Sequence, residues 1–352
     1  MSHITEIALE NYRSFRAARC RLSPFTLIVG ANNAGKSNLL KAVRDVAVIS
    51  TQGEMDDSWA SNCHHAVGPS RPDVVLQWSD GKHTTTKEKT KAESEAANDA
   101  MRAAFAVGQR MSFDEATNYR RISSPLEIYR LDPNIIGTGE GGTGEPYIAP
   151  NGAGVSWMLD KWNAGARVQR VRFEQVITAL RRCVPEIEAV SFYDEDVGKR
   201  AIQIEQTGLP EPRPLSEVSD GTRLVLAILP LVNQETPPPV LLLEDIDRGL
   251  HPRLYEQLVA FLRALAAQGH TQILATTHDP YLIDEFRDTP EAVVIVDKRD
   301  GASTLTNLDE RLKALLDPGE DLDMPLGQVW YSGMVGGVPR MKLPEILRPA
   351  KE

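Results

Sequence analysis

Residues 30–37, GANNAGKS, have the residue types and the spacing of a phosphate-binding loop. They follow the apolar segment FTLIV and open a segment whose apolar residues recur at helical spacing. Glycines let backbone N–H groups surround phosphate oxygens, and the positive end of the helix adds to the attraction. We expect Lys36 to reach the β- and γ-phosphates of a nucleotide and the Ser37 hydroxyl to ligate Mg²⁺. The predicted nucleotide-binding residues of this segment are Gly30, Asn32, Asn33, Gly35, Lys36, Ser37 and Asn38.

Two acids, Glu244 and Asp245, come directly after the apolar run VLLL. Acidic side chains at the end of a buried strand are costly unless they meet a cation or a substrate. Beside a phosphate-binding loop, Glu244 is expected to hold Mg²⁺, directly or through water, and Asp245 to orient the attacking water. This pair therefore supplies two of the predicted catalytic residues.

Two further segments place polar residues where anions bind. Ser219 and Gly221 precede the apolar segment RLVLAILPLV, so they lie at the start of a predicted helix. His278 follows the strand-like QILATT, at the end of a strand where ligands of parallel sheets bind. A single histidine at such a place more often has a structural role. The order of all four motifs, rather than any one alone, indicates function.

The elements that must position these residues alternate between short apolar runs and amphipathic helices. We predict strands at 3–10, 24–29, 240–244, 272–277 and 292–297, with helices after residue 35 and near 221–233 and 252–267. Apolar strands alternating with helices are typical of an α/β fold with a mainly parallel sheet covered on both faces. The predicted core therefore comprises 1–49 and 211–307.

The middle of the chain, 50–210, reads as an α+β insert lobe. An Asp-Gly turn within 74–87 predicts a hairpin. Helices are expected at 93–106 and 167–182, strands at 188–193 and 200–206, and a mobile glycine-rich loop at 137–144. Residues 308–352 form a tail whose aromatic, Met and Gly residues either dock a partner chain or pack against the chain's own sheet.

The order GANNAGKS, LSEVSDGT, LLLEDIDRGLHP and ATTHDPYLID, with the opening ENYRSF, resembles an ABC-type ATPase head of the RecF/SMC/OLD-like group. The resemblance covers both ends of the chain, about half of its length, and is weak through 50–210. It implies a P-loop NTPase that binds ATP and Mg²⁺ and dimerises head-to-tail around two nucleotides. In such a dimer, Ser219 and Gly221 of one subunit contact the γ-phosphate held by Lys36 of the other.

The resemblance assigns roles to three more residues. His278 senses the γ-phosphate as the third catalytic residue, Asp247 lies at the dimer contact, and Arg13 touches the nucleotide. The glutamine loop of the family has no clear counterpart, and Gln77 and Gln109 are its candidates.

The acid pair departs from the family pattern, because relatives carry Asp-Glu or two Glu and this chain carries Glu244 and then Asp245. The shorter acid lies further from the water that it would orient. Since a displacement of about 1 Å can cost on the order of a hundredfold in rate, we expect slow turnover. A scaffold that binds ATP without hydrolysis is the alternative.

Composition limits the classes of partner. The net charge is −10, from 39 Lys and Arg against 49 Asp and Glu, which argues against a protein that holds DNA over its whole surface. No apolar run is long enough to span a membrane, and the scattered Cys20, Cys63 and Cys183 suit neither a disulfide framework nor a zinc site, so we expect a cytoplasmic protein. One predicted helix carries a local basic cluster, which reads more readily as a solvated face: Arg167, Arg170, Arg172, Arg181 and Arg182.

Three functions fit these features. The favoured one is a dimeric, or higher even-numbered, regulatory ATPase of a prokaryotic defence or genome-maintenance system that controls a separately encoded effector such as a nuclease. OLD-like relatives often carry a Toprim nuclease domain after the ATPase, and about 45 residues after the last predicted strand are too few for one. The alternative is a RecF-like DNA-repair clamp. A transporter ATPase fits least, because Lys36 and Ser219 lie further apart than in transporter heads.

Overall fold

The computed structural model describes residues 3–52, 73–81, 83–85, 126–141, 144–317 and 322–338. Side chains at 48–52 and at 83 and 85 are not described. The predicted helix at 93–106, the candidate Gln109 and Cys63 lie outside these residues.

A ten-stranded sheet organises the described chain, in the order β5-β4-β1-β2-β13-β12-β3-β11-β10-β6. Strands β12, β3, β11, β10 and β6 run parallel, whereas the β1–β2, β1–β4, β4–β5 and β12–β13 pairs are antiparallel. Its strands are β1 (Ile4–Tyr12), β2 (Phe15–Arg21), β3 (Phe25–Gly30), β4 (Asp73–Trp78), β5 (His83–Thr85), β6 (Ile128–Tyr129), β10 (Val240–Leu243), β11 (Gln272–Thr277), β12 (Val293–Arg299) and β13 (Ala302–Asn307).

A smaller antiparallel sheet contains β7 (Ile187–Asp196), β8 (Lys199–Gln206) and β9 (Arg213–Pro214). The α-helices of the described chain are α1 (Lys36–Gln52), α2 (Val155–Ala164), α3 (Arg167–Cys183), α4 (Asp220–Val232), α5 (Tyr255–Ala267), α6 (Pro280–Asp284), α7 (Leu308–Leu315) and α8 (Leu326–Tyr331).

Apolar side chains on the two faces of the main sheet build two cores. On one face, α1 packs its buried Leu39, Leu40 and Val43 with residues of β1 and β4. On the other, β3 and β11 pack against α2, α3, α4 and α5, which share one continuous cluster with β7 and β8. The strands β3, β10 and β11 are buried along their whole length, as expected for strands covered on both sides. The predicted α/β fold with a mainly parallel, helix-flanked sheet is confirmed.

Several predicted elements are found close to their predicted places, including the 74–87 hairpin, α3, β7, β8 and β11. Strands β2 and β13 were not predicted. Within the glycine-rich segment expected to lack regular structure, Glu140 forms an isolated bridge with Arg200, with N···O distances of 3.1 and 3.0 Å.

Residues 326–338 of the tail pack against the chain's own core. Leu326, Val329, Trp330 and Val335 are buried, and the N–H of Gly327 donates to Asp284 of α6 at 2.8 Å. Of the two alternatives for the tail, these residues follow the intramolecular one.

Candidate functional site

The 30–37 loop connects the buried strand β3 to helix α1, at the carboxyl edge of the parallel strands. Gly35 has φ of 123°, and a Cβ at this position would lie 2.7 Å from Ser303 Oγ and 3.0 Å from Ser14 Oγ. Ser14 also accepts a hydrogen bond from Asn38 Nδ2 at 2.9 Å, and Ser303 donates to the Ala34 carbonyl. The loop is therefore held from the side by β13 and by the β1–β2 turn, and only glycine fits at residue 35.

Lys36 lies folded back over the loop. Its Nζ donates to the carbonyls of Gly30 at 2.8 Å and Ala31 at 3.1 Å. Burial lowers the pKa of Lys36 to about 8, although the nearby acids Asp245, Asp247 and Glu244 raise it. The arrangement keeps an amine inside the loop, where a phosphate is expected to bind.

Ser37 and Glu244 meet at the end of β10. The Ser37 hydroxyl donates to Glu244 Oε1, and the Glu244 N–H donates to the Tyr129 carbonyl of β6 at 2.8 Å. A hydroxyl and a carboxylate oxygen are the hard ligands that Mg²⁺ prefers, so the two residues fit a magnesium site. The structure brings together the two predicted metal ligands, although 207 positions separate them in the sequence.

Asp245 adopts a left-handed backbone conformation with φ of 54°. Its N–H donates to Thr276 Oγ1 of β11 at 2.9 Å, which holds this conformation in place. Among non-glycine residues, aspartate and asparagine adopt this conformation most readily. The backbone therefore gives a physical reason for the shorter acid in the second position of the pair.

His278 completes the cluster from the end of β11. Its Nδ1 lies 3.2 Å from Lys36 Nζ, and its Nε2 lies 3.5 Å from Asp245 Oδ1. Burial and then the charge of Lys36 lower the pKa of His278, although Asp245 and Asp247 raise it. The neutral ring can accept a hydrogen bond at Nδ1 and present the Nε2 proton to Asp245.

The predicted signature residues lie at the start of α4. Ser219 caps this helix, since its hydroxyl accepts from the Thr222 N–H at 3.2 Å, and Gly221 packs closely on Leu250 and Leu254. Within the described chain, no hydrogen bond joins Ser219 or Gly221 to the 30–37 loop. The structure therefore does not bring the signature and the loop together within one subunit.

Asp247 lies between the acid pair and the signature helix. Burial raises the pKa of its carboxyl group, although a hydrogen bond from Thr277 lowers it, and the buried Oδ1 has no hydrogen-bond partner in the described structure. Two residues further on, Gly249 approaches Asp220 of α4 so closely that a Cβ would lie 2.8 Å from the Asp220 Cβ. The 245–250 segment thus connects the acid pair to α4, the helix of the predicted signature.

Arg13 and Gln77 are placed differently from the predicted site residues above. Arg13 donates to the Tyr12 hydroxyl at 3.1 Å, and Tyr12 donates to Asp45 of α1 at 2.8 Å, so Arg13 is engaged beside the loop helix. Gln77 lies on β4, with four strands between β4 and β3. It is therefore too distant to serve as the glutamine of this site.

Arg130, which follows β6 at the same edge of the sheet, is not among the predicted site residues. Its Nη2 lies 3.5 Å from Asp245 Oδ2. Because β6 has only two residues, it produces no apolar run that would have drawn attention to the residue after it.

Two family models match separate parts of the chain. One, described as "AAA ATPase domain", matches residues 3–101, which include the phosphate-binding loop. The other, described as "AAA domain, putative AbiEii toxin, Type IV TA system", matches residues 159–284, which include the signature, the acid pair and His278.

A solved structure has the same fold over most of the chain. It is an SmcHead bound to the C-winged helix domain of ScpA, with a TM-score of 0.52 and 15% identity. The match covers 88% of this chain and 99% of that one. The chain has the fold of an ABC-type ATPase head.

Curated relatives of this ATPase head match it over shorter segments. A putative ABC transporter ATP-binding protein of Streptomyces avermitilis is 47% identical over 75 residues, and one of Streptococcus mutans is 36% identical over 134 residues. These segments cover 21% and 37% of this chain, and only 12% and 22% of the relatives' own length. Among the described residues of the ATPase head, no helix has the length and apolarity needed to cross a bilayer.

Proposed function

We propose that this ATPase head binds and hydrolyses MgATP as a dimeric clamp, and that it is the regulatory subunit of a cytoplasmic prokaryotic defence or genome-maintenance system. Its effector, such as a nuclease, would be encoded on a separate chain. The observation that carries the proposal is the convergence of Lys36, Ser37, Glu244, Asp245 and His278 at one sheet edge.

Each residue of this cluster has a proposed role. Lys36 and the loop amides bind the phosphates, while Ser37 and Glu244 hold Mg²⁺, which neutralises charge on the phosphate oxygens. Asp245 orients the attacking water, and His278 reads the presence of the terminal phosphate through its contacts with Lys36 and Asp245. The remaining predicted loop residues, Gly30, Asn32, Asn33, Gly35 and Asn38, bind or shape the nucleotide site, and Arg13 takes part only if it leaves Tyr12.

Dimerisation is proposed because each chain holds only part of the machinery. A Ser-capped helix start binds anions well, and within the described part of one subunit no hydrogen bond joins Ser219 to the loop. A second subunit in head-to-tail orientation would bring its Ser219 and Gly221 to the nucleotide. Asp247 is half-buried, and its buried Oδ1 has no hydrogen-bond partner in the described structure; it lies in the segment that would meet the partner.

Control of a separate effector is supported by two observations. The description of the family model over 159–284, "AAA domain, putative AbiEii toxin, Type IV TA system", places an AAA domain in a toxin system. The described tail packs on its own core yet leaves Tyr331 exposed by 72% and Met334 by 49%. These side chains offer apolar surface to another protein.

The native mass of the purified protein with and without MgATP tests the dimer. Asp245→Ala blocks turnover and is expected to double in mass with ATP, whereas Lys36→Ala and Ser219→Arg in the same background are expected to remain monomeric. A mass that ignores nucleotide in every variant contradicts the clamp. Phosphate release stimulated only by a co-purifying protein supports the effector role.

A RecF-like DNA clamp is the second candidate, favoured by helix α3. Its solvent-facing side exposes Arg167 and Arg170 next to the apolar Val168 and Val171, and Arg182 near its C-terminal end, in a protein of net charge −10. If this face binds DNA, duplex DNA stimulates phosphate release and binding weakens steeply with salt. Changing the three arginines to glutamate would then abolish binding without affecting basal ATP hydrolysis.

A further inference from the structure

Arg130 occupies a fixed place beside the catalytic acids. Strand β6 runs parallel to β10 with Tyr129 opposite Leu243, so the residue after Tyr129 emerges at the same edge as Glu244. The Arg130 N–H donates to the Pro150 carbonyl at 2.9 Å, which anchors its backbone. The position is therefore set by the sheet and by the segment before α2.

The side chain of Arg130 remains free to move. It is 60% exposed, and its contact with Asp245 Oδ2 is an ion pair at 3.5 Å, longer than a strong hydrogen bond. Exposed ion pairs of this kind contribute little energy, so a stronger anion can replace Asp245 as the partner.

The terminal phosphate of ATP would lie within the reach of this guanidinium. Lys36 is the residue expected to bind that phosphate, and it is joined to Asp245 through His278 by contacts of 3.2 and 3.5 Å. Asp245 in turn contacts Arg130. A planar guanidinium binds a phosphate through two parallel hydrogen bonds and carries its charge at all working pH values.

We propose that Arg130 is a nucleotide-sensing residue that pairs with Asp245 before ATP binds and transfers to the terminal phosphate when ATP is bound. The transfer has two consequences. It adds a positive charge on the phosphate oxygens from within the same subunit, and it frees the Asp245 carboxylate to orient water. ADP lacks the terminal phosphate, so it leaves the Arg130–Asp245 pair intact.

Binding of ATP and ADP in the Asp245→Asn background tests the proposal, because turnover is blocked and the carboxylate partner of Arg130 is removed. Adding Arg130→Ala is expected to weaken ATP binding about tenfold while ADP binding stays within about twofold. The matched control is Arg213→Ala, an exposed arginine of β9, which should change neither. With Asp245 intact, Arg130→Ala should also lower kcat by about a hundredfold or more.

Unchanged affinities for both ATP and ADP in the double variant overturn the proposal, because Arg130 then acts only through Asp245. Equal weakening of both nucleotides also overturns it, since that result reflects a disturbed site. Arg130→Lys guards against misfolding: it retains the charge without the planar fork and should lie between wild type and Arg130→Ala in its preference for ATP. The inference rests on the proposed ATP site, and Lys36→Ala tests that site by itself. Lys36→Ala should lose binding of ATP and ADP; if it binds them as wild type does, the proposed ATP site is wrong. If Lys36→Ala loses binding but Arg130→Ala leaves the preference for ATP unchanged, only the role of Arg130 is wrong.

Discussion

The Nδ1 atom of His278 lies 3.2 Å from the Nζ atom of Lys36, although 242 positions separate the two residues in the sequence. Strands β3 and β11 are adjacent and parallel, with Val29 opposite Thr277, so the residues that follow them meet at one edge. The same imidazole contacts Asp245 at 3.5 Å, so it links the lysine of the 30–37 loop to the second residue of the acid pair.

His278→Ala is expected to lower kcat by about a hundredfold with little change in KM, because loss of one positioned polar group at a reaction centre typically has this size. Steady-state phosphate release measures both constants. A raised KM with an unchanged kcat would show instead that His278 contributes only to nucleotide binding.

The left-handed backbone of Asp245, the second residue of the acid pair, leads to a prediction about turnover. Wild type is expected to turn over slowly, below about 1 s⁻¹, and Asp245→Glu should not accelerate it, since the longer acid must adopt φ of 54° at a cost of about 1 kcal/mol. Asp245→Asn accepts the same backbone and should lose turnover while keeping ATP-induced association. Single-turnover kinetics and urea unfolding check the two parts, and a faster Asp245→Glu enzyme would contradict the backbone explanation.

The close approach of Gly249 to Asp220 predicts that the position of α4 depends on the 245–250 segment. The φ of Gly249 is 74° and a Cβ would lie 2.8 Å from the Asp220 Cβ, so Gly249→Ala should displace α4 and reduce ATP-induced association. Gly198→Ala is a matched control, because its φ is 73° and nothing lies within 4 Å of the added Cβ. Both variants carry the left-handed strain of about 1 kcal/mol in unfolding measurements, and only Gly249→Ala should impair activity. Equal activity of the two would argue against this dependence.

The carboxyl group of Glu140 is expected to make a pH-dependent contribution to the free energy of unfolding. Burial raises the pKa of this group, although three backbone N–H groups at the start of α2 lower it, and Oε2 has no partner in the described structure. The folded state therefore keeps the Glu140 proton to a higher pH than the unfolded state. Stability from this group is present below the unfolded pKa of about 4.3 and declines as pH rises through the raised folded pKa.

Glu140→Gln removes this titration and should be more stable than wild type at pH 7. The gain should vanish near pH 4, where both proteins are neutral at this position. Urea unfolding at several pH values measures it, and a Gln variant less stable than wild type at pH 7 would contradict the expected cost of the buried charge.

The burial of Trp330 indicates that the tail is part of the folded core. Its side chain is 5% exposed, so Trp330→Ala should lower the free energy of unfolding by about 3–5 kcal/mol. The neighbouring Tyr331 is 72% exposed, and Tyr331→Ala should change it by no more than about 0.5 kcal/mol. Similar effects of the two substitutions would mean that the tail does not pack as described. If Tyr331 contacts an effector, its replacement should reduce effector binding without this loss of stability.

Local patterns of residues were enough to predict the phosphate-binding loop, the acid pair and the strands β3, β10 and β11. Each of these is a short, contiguous segment whose apolar periodicity, glycines or charges reflect its own environment. The order of the motifs along the chain added the class of the fold. The sequence shows that the order Glu244–Asp245 departs from the family pattern. It does not show that a left-handed backbone at residue 245 favours the shorter acid.

Only the tertiary structure decided which distant residues meet. Strand order places Arg130 beside Asp245 and keeps Gln77 on a remote strand. A hydrogen bond to Thr276 of β11 holds Asp245 in the left-handed backbone that suits a short acid. The tertiary structure also joins α2, α3, β7 and β8 to the core that covers β3 and β11. These relations depend on pairing between segments far apart in sequence, and hydrophobic pattern and motif spacing describe each segment without specifying its neighbours.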